Sequence, residues 1–226
     1  MRLCVIPARG GSKRIPHKNI KNFAGLPLIA YSIKTALNSG AFDEVIVSTD
    51  DEAIAEVTRK FGAKAPFMRG ANLSDDFATT SAVIKDACIK MGENFKDVCC
   101  LYATAPLLTA QILREAYEKF KDSECEFLFS ACEFSFPIER AIKLDDKGAV
   151  SMFYPQHLKT RSQDLERAYH DAGQFYFAKR EAWIEQKPIF APHSRVFILP
   201  RHLVCDIDTP ADFEFAQKLY KINHEL

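Results

Sequence analysis

Short runs of consecutive apolar residues alternate along this chain with longer stretches whose apolar positions recur every three or four residues. Leu3-Cys4-Val5-Ile6, closed by Pro7, predicts a short buried strand. Residues 26–39 predict a helix, with Leu28, Ile29, Ile33, Ala36 and Leu37 on one stripe, Pro27 in its first turn and Gly40 at its C-terminal cap. Residues 44–48 predict a second buried strand. Asp50 or Asp51 can then cap a helix to Lys60, which Gly62 would end. The alternation continues with helices over 79–91 and from Thr109 to about 121, and strands over 98–102, 126–131 and 195–199. Thr209-Pro210-Ala211-Asp212 opens a last helix, with Thr at the cap, Pro at the first position and an acid in the first turn.

Such alternation predicts an α/β fold of three layers, a mostly parallel sheet covered by helices on both faces. Ligands of such sheets bind beyond the C-terminal strand ends, where the polar loop 7–22 follows the first strand. Residues 133–172 break the rhythm. They hold a turn at Asp145-Asp146-Lys147-Gly148 and a strand-like run over 149–154, and predict a hairpin-like insertion in a single domain spanning 1–226. A domain of this length buries roughly 70% of its unfolded surface, which removes any need for disulfides or a structural metal.

Charge and cysteine content narrow the partners. Net charge is zero, which argues against nucleic acid or a membrane surface as a general partner. Yet residues 1–42 hold no Asp or Glu and seven Lys or Arg, five of them between positions 9 and 21. A small anion is the expected occupant. The seven cysteines show no CxxC pair or zinc spacing. With no signal-peptide core and no membrane-length apolar run, they predict reduced thiols in a cytoplasmic protein.

The densest chemistry lies in Ile6-Pro7-Ala8-Arg9-Gly10-Gly11-Ser12-Lys13-Arg14-Ile15-Pro16-His17-Lys18-Asn19. Gly10 and Gly11 free the backbone to turn and expose amides that cradle phosphate oxygens. Arg9, Lys13 and Lys18 supply charge for a triphosphate, although neither a Walker loop nor GxGxxG is present. Near the end, Asp206-Ile207-Asp208 places two carboxylates on one face of an extended segment. Helix capping is one reading of that pair. Beside a phosphate loop, two hard oxygen ligands favour Mg²⁺, completed by phosphates and water.

The fourteen-residue loop resembles the first motif of the CMP-sugar synthetases, and further segments follow in the family's order along nearly the whole chain. Val47-Ser48-Thr49-Asp50 is similar to its strand-end motif, and 69–80 to its Arg…Leu…Asp…Ser segment, with Gly70 where proline is usual. Leu101-Tyr102-Ala103-Thr104-Ala105-Pro106-Leu107-Leu108 corresponds to Leu-Gln-Pro-Thr-Ser-Pro-Leu-Arg, so Tyr102 and Leu108 are departures. Arg161-Ser162-Gln163-Asp164 resembles the family's Arg-Arg-Gln-Asp, with Ser162 in place of the second arginine, and Asp171-Ala172-Gly173-Gln174-Phe175-Tyr176 most resembles the pseudaminic acid branch.

The resemblance implies a Rossmann-like nucleotide-diphospho-sugar transferase fold that joins CTP to a nine-carbon 2-keto sugar acid. N-acetylneuraminic and legionaminic acid are the alternative sugars, and a nucleotide-binding regulator is an alternative of another class. It implies nucleotide contacts at Ala8, Arg9, Gly10, Gly11, Ser12, Lys13, Lys18, Asn19, Arg69 and Thr80. Substrate contacts are expected at Tyr102, Thr104, Arg161, Gln163, Gln174 and Tyr176, Mg²⁺ at Asp206 and Asp208, and catalytic roles for Arg9, Lys18 and Asp208. The insertion is expected to form a homodimer interface and to reach the neighbouring site.

Overall fold

The apolar runs assemble into a six-stranded sheet between helical layers in this computed structural model, which describes residues 1–224. In chain order the elements are β1 (Arg2–Pro7), β2 (Asn22–Phe23), β3 (Leu26–Pro27), α1 (Leu28–Ser39), β4 (Glu44–Ser48), α2 (Glu52–Lys60), α3 (Thr80–Met91), β5 (Asp97–Leu101), α4 (Ala110–Lys121), β6 (Phe127–Glu133), β7 (Ile142–Leu144), β8 (Val150–Met152), β9 (Tyr169–Lys179), α5 (Arg180–Ile184), β10 (Ser194–Ile198) and α6 (Pro210–His224). The sheet order is β10-β6-β9-β5-β1-β4. Neighbours are parallel except at β9, which runs antiparallel to both β5 and β6.

That one reversal has a topological cause. A parallel neighbour needs a crossover to the other end of the sheet. After β6 the chain instead makes an excursion over 134–168, containing the β7–β8 hairpin, and re-enters from the same end. Glu133 and residues 169–172, expected in the insertion, belong to β6 and β9. At the other discrepancy, Leu26 and Pro27 pair with β2, so α1 begins at Leu28 with Pro27 at its N-cap; Gly40 ends it at φ 68°.

Both sheet faces are packed. Ile29 and Ile33 of α1, Ile54 of α2 and Phe120 of α4 meet Phe175 and Phe177 of β9 on one side. On the other, Ile84 and Cys88 of α3 and Trp183 of α5 meet Val5, Cys100 and Tyr176. The caps follow the sequence signals: Thr79 Oγ1 accepts the Ala82 amide at 3.2 Å, and Thr109 Oγ1 that of Ile112 at 3.3 Å. Among the described residues no helix is long and apolar enough to cross a membrane.

Candidate active site

A third apolar cluster, beside the sheet, sets two polar loops against each other. Ile15 of the basic loop and Ile207, between the two aspartates, pack with Phe23, Tyr31 and Phe213. The Phe23 ring meets Tyr31 and Phe213 edge-to-face at 5.3 and 5.5 Å. Burying each isoleucine contributes roughly 1.5–3 kcal/mol. The loops are therefore held by their apolar members, leaving the charged ones at the surface. Lys18 closes the link, its Nζ donating to the Ile207 carbonyl at 2.6 Å and lying 3.5 Å from Asp208.

The basic loop is pinned where it leaves β1. The buried Ala8 donates its amide to Ser48 O at 3.0 Å, and Asn19 Nδ2 donates to Arg9 O at 3.0 Å. The Gly10 amide donates to Asp50 Oδ1 at 3.0 Å. Neither Gly10 nor Gly11 has a left-handed φ. Gly10 is needed for space instead, since a Cβ there would stand 2.5 Å from Asp51 Oδ2, whereas one at Gly11 meets nothing within 4 Å.

The adjacent acids separate by role. Asp51 caps α2, accepting from the Ala53 and Ile54 amides at 2.8 and 3.3 Å. Asp50 turns to the loop and lies 3.5 Å from Arg69, whose side chain is 3% exposed. Burial pulls the Arg69 pKa down, and the charge of Asp50 opposes that pull. Arg69 Nε also donates to Ser74 Oγ at 3.2 Å.

These loops surround a cavity of about 420 Å³ at the C-terminal ends of β1 and β5. Arg9, Lys18, Asn19, Arg69, Thr80, Tyr102, Thr104, Asp206 and Asp208 all border it. An adjoining hollow of about 330 Å³ adds Ser12, Lys13 and Arg14. Arg9 donates at 2.8 Å to both Asp76 Oδ1 and Asp75 O, and Lys13 also pairs with Asp76. Hydrogen bonds from Lys13 and Arg9 hold the Asp76 carboxyl below the usual carboxylate range. Arg14 pairs with Asp208 at 2.8 Å. Asp206 opens to the cavity, yet nearby protein and then the charge of Asp208 push its pKa up. On the far wall Thr80 Oγ1 lies 3.1 Å from the Tyr102 hydroxyl, and burial raises the Tyr102 pKa to about 12.

Four expected substrate contacts lie elsewhere. Gln174 and Tyr176 are buried beneath the wall, and Gln174 Nε2 donates to Leu203 O at 2.6 Å. Arg161 and Gln163 are exposed on the excursion, where Arg161 pairs with Asp164 at 2.7 Å. Sequence reasoning missed Asp50, Asp75, Asp76 and Arg14. Asp50 stood in a recognised segment, but two adjacent acids left open which one capped the helix. Asp75 and Asp76 ran against the expectation of an anion site.

A family model described as cytidylyltransferase matches residues 3–225. The chain belongs to the cytidylyltransferase family. Pseudaminic acid cytidylyltransferase of Campylobacter jejuni is 61% identical over 226 residues, covering 99% of this chain and 97% of the relative. CMP-N,N'-diacetyllegionaminic acid synthase of Legionella pneumophila is 33% identical, over 99% and 97%. The fold is shared with a CMP:2-keto-3-deoxy-manno-octonic acid synthetase solved with CTP, at a TM-score of 0.72 and 20% identity over 100% and 99% of the two chains. In this cytidylyltransferase the cavity is thus bounded by the cationic loop, the buried Arg69, two acidic pairs at 75–76 and 206–208, and a hydroxyl-bearing wall.

Proposed function

We propose that the protein joins CTP to pseudaminic acid, forming CMP-pseudaminic acid and releasing pyrophosphate. The observation that carries the reading is the convergence of Arg9, Lys18 and Arg69 on one cavity beside Asp206 and Asp208, with Lys13 in the adjoining hollow and tyrosine at position 102. The relative at 61% identity supports the same sugar.

The C2 hydroxyl oxygen of the sugar acid bonds to the α-phosphorus of CTP as the bond to the β-phosphate oxygen breaks; the hydroxyl proton leaves to solvent. Catalysis is mainly positioning and charge neutralisation. Arg9 and Lys13 exchange Asp76 for the triphosphate, and the loop amides cradle its oxygens. Lys18 holds the acid-bearing loop in register through the Ile207 carbonyl. Asp206 and Asp208 offer two hard oxygen donors side by side, both bordering the cavity. Among the described residues no third His, Cys or acid joins them. The pair fits Mg²⁺ that takes its other ligands from phosphate and water. Such an ion would neutralise charge on the phosphates during displacement.

The reading extends to a homodimer in which the excursion meets a second copy, so that Arg161 and Gln163 serve the neighbouring cavity. Use of CTP and the seven free thiols fit the cytoplasm.

The test is pyrophosphate release from CTP and Mg²⁺ with pseudaminic, N-acetylneuraminic, legionaminic and 2-keto-3-deoxy-octonic acids in turn. Release with pseudaminic acid supports the proposal, release with only another acid replaces the sugar, and no release rejects the activity. Asp208→Ala is expected to fold normally and to lose on the order of 10³-fold in turnover. Wild-type turnover in that variant at saturating Mg²⁺ would overturn the metal assignment.

A further inference from the structure

Lys13 and Arg14 are consecutive, yet they face different acids. Lys13 pairs with Asp76, and Arg14 pairs with Asp208 Oδ1 at 2.8 Å. Lys18 lies 3.5 Å from the same oxygen. Two cations therefore share a carboxylate that is also one of the two hard donors proposed for Mg²⁺. They are not equally free to leave. Lys18 is 18% exposed, and its Nζ is committed to the Ile207 carbonyl at 2.6 Å. Arg14 is 63% exposed, and among the described residues it pairs with no other acid.

Backbone and side chain of Arg14 are under different constraints. The next residue, Ile15, is buried in the same cluster as Ile207, with Phe23 and Phe213. That packing keeps the Arg14 backbone beside the acid-bearing segment and leaves its guanidinium free to rotate. The rotation has a destination, because Arg14 borders the adjoining hollow together with Ser12, Lys13 and Lys18. A guanidinium does not shed its proton in a protein, so it meets an incoming divalent cation as a full charge. Two cations on one carboxylate repel each other, and an exposed ion pair is weak enough to exchange. The metal and Arg14 therefore occupy Asp208 in turn.

We propose that Arg14 is a placeholder for the divalent cation: it neutralises Asp208 while the metal is away, and the metal displaces it into the hollow, where it joins Lys13 on the triphosphate. The proposal rests on the Mg²⁺ assignment to Asp206 and Asp208 and adds a coupling to it. Each ligand frees one of two consecutive cations, the triphosphate by drawing Lys13 from Asp76 and the metal by taking Asp208 from Arg14.

The test needs no turnover. Mn²⁺, a spectroscopic substitute for Mg²⁺, is titrated into the nucleotide-free protein and the free ion is followed by electron paramagnetic resonance. Arg14→Gln, checked for an unchanged fold, is expected to bind Mn²⁺ about threefold to fivefold more tightly than the wild type, the scale of one exposed ion pair. Lys13→Gln removes the neighbouring charge but no partner of Asp208, and stays close to the wild-type affinity. A second arm follows the side chain itself by ¹⁵Nε-arginine NMR, with the Arg14 signal assigned by its loss in Arg14→Gln. That signal should move at saturating Mg²⁺ without nucleotide, and in Asp208→Asn it should lie away from its wild-type position before any metal is added. Unchanged Mn²⁺ affinity in Arg14→Gln, an equal gain in Lys13→Gln, or an Arg14 signal that ignores Mg²⁺ overturns the proposal, as does a wild-type protein that binds no Mn²⁺. If no sugar acid supports turnover of the wild-type protein, the cytidylyltransferase reading falls, while both arms still decide whether Arg14 and the metal compete for Asp208.

Discussion

Asp50 and Asp51 show how much function depends on the direction of one side chain. Extended backbone sends successive side chains to opposite sides, and Asp51 is extended at φ −122°, ψ 120°. One acid therefore faces the α2 amides, and the other faces Gly10 and Arg69. Removing Asp50 leaves the Arg69 guanidinium buried and short of countercharge. Breaking a fully buried pair costs about 3–5 kcal/mol, and the partial exposure of Asp50 reduces this to about 2 kcal/mol. Asp50→Ala is expected to lower Tm by roughly 4–8 °C and to raise KM for CTP. An unchanged melt would show that Arg69 does not need this partner. Gly10 and Gly11 divide as sharply. The Cβ of Gly10→Ala strikes the Asp51 carboxylate, an overpacking cost of about 1–3 kcal/mol. Calorimetry should show weakened CTP binding and a lower Tm for Gly10→Ala, and neither for Gly11→Ala. In the sequence the two glycines read alike, because the close approach to Asp51 arises only when the ends of β1 and β4 are neighbours.

At the scale of elements, legibility followed local signals. β1, β4, β5, β6 and β10 each carry an apolar run, and the capping residues mark most helix starts. β9 was hidden because Gly173 and Gln174 interrupt its apolar run and its opening residues read as part of an insertion. Its antiparallel placement depends on where the excursion returns, which no local pattern records. A bulge in β9, where Phe129 pairs with Tyr176 but Ala131 with Asp171, was hidden for the same reason. The buried Ser130 Oγ accepts the Gln174 and Phe175 amides there at 3.2 and 3.1 Å, a role it acquires only when β6 and β9 pair. Ser130→Ala leaves two buried amides without their acceptor. At roughly 1–3 kcal/mol for each unsatisfied group, a loss of about 3 kcal/mol is expected, with Tm lower by roughly 6–12 °C. A thermal melt unchanged within a degree or two would mean that the bulge holds without Ser130. The predicted substrate contact at Tyr176 belongs here too: the segment was recognised, but the bulge turns that side chain under the wall.

Across the whole molecule, zero net charge conceals a matching of distant segments. The first 42 residues contribute cations and no acids, and Asp76 and Asp208 come from other parts of the chain to meet them. Asp76 and Asp208 thus hold the cationic loop in order, and in the proposed reaction a triphosphate would take over the partners of Asp76. The excursion pairs Arg161 with Asp164 within itself but leaves its large apolar side chains uncovered. Phe136 is 79% exposed, Leu144 66%, Val150 64% and Leu158 63%, clustered in one segment that also carries Arg161 and Gln163. Apolar side chains grouped in this way mark an association surface, and a C2 pairing would bury the same patch on both copies. The wild-type protein is expected to sediment at twice the 25.6 kDa chain mass. Combining Leu144→Glu with Val150→Glu places charge on the β7–β8 hairpin and should yield the single chain. If Arg161 and Gln163 act on the neighbouring cavity, that monomer keeps CTP binding and loses turnover with the sugar acid. A wild-type protein that is monomeric and fully active would overturn the dimer and leave the excursion without a part in the reaction. A monomeric variant with full turnover would keep the dimer but remove Arg161 and Gln163 from the site.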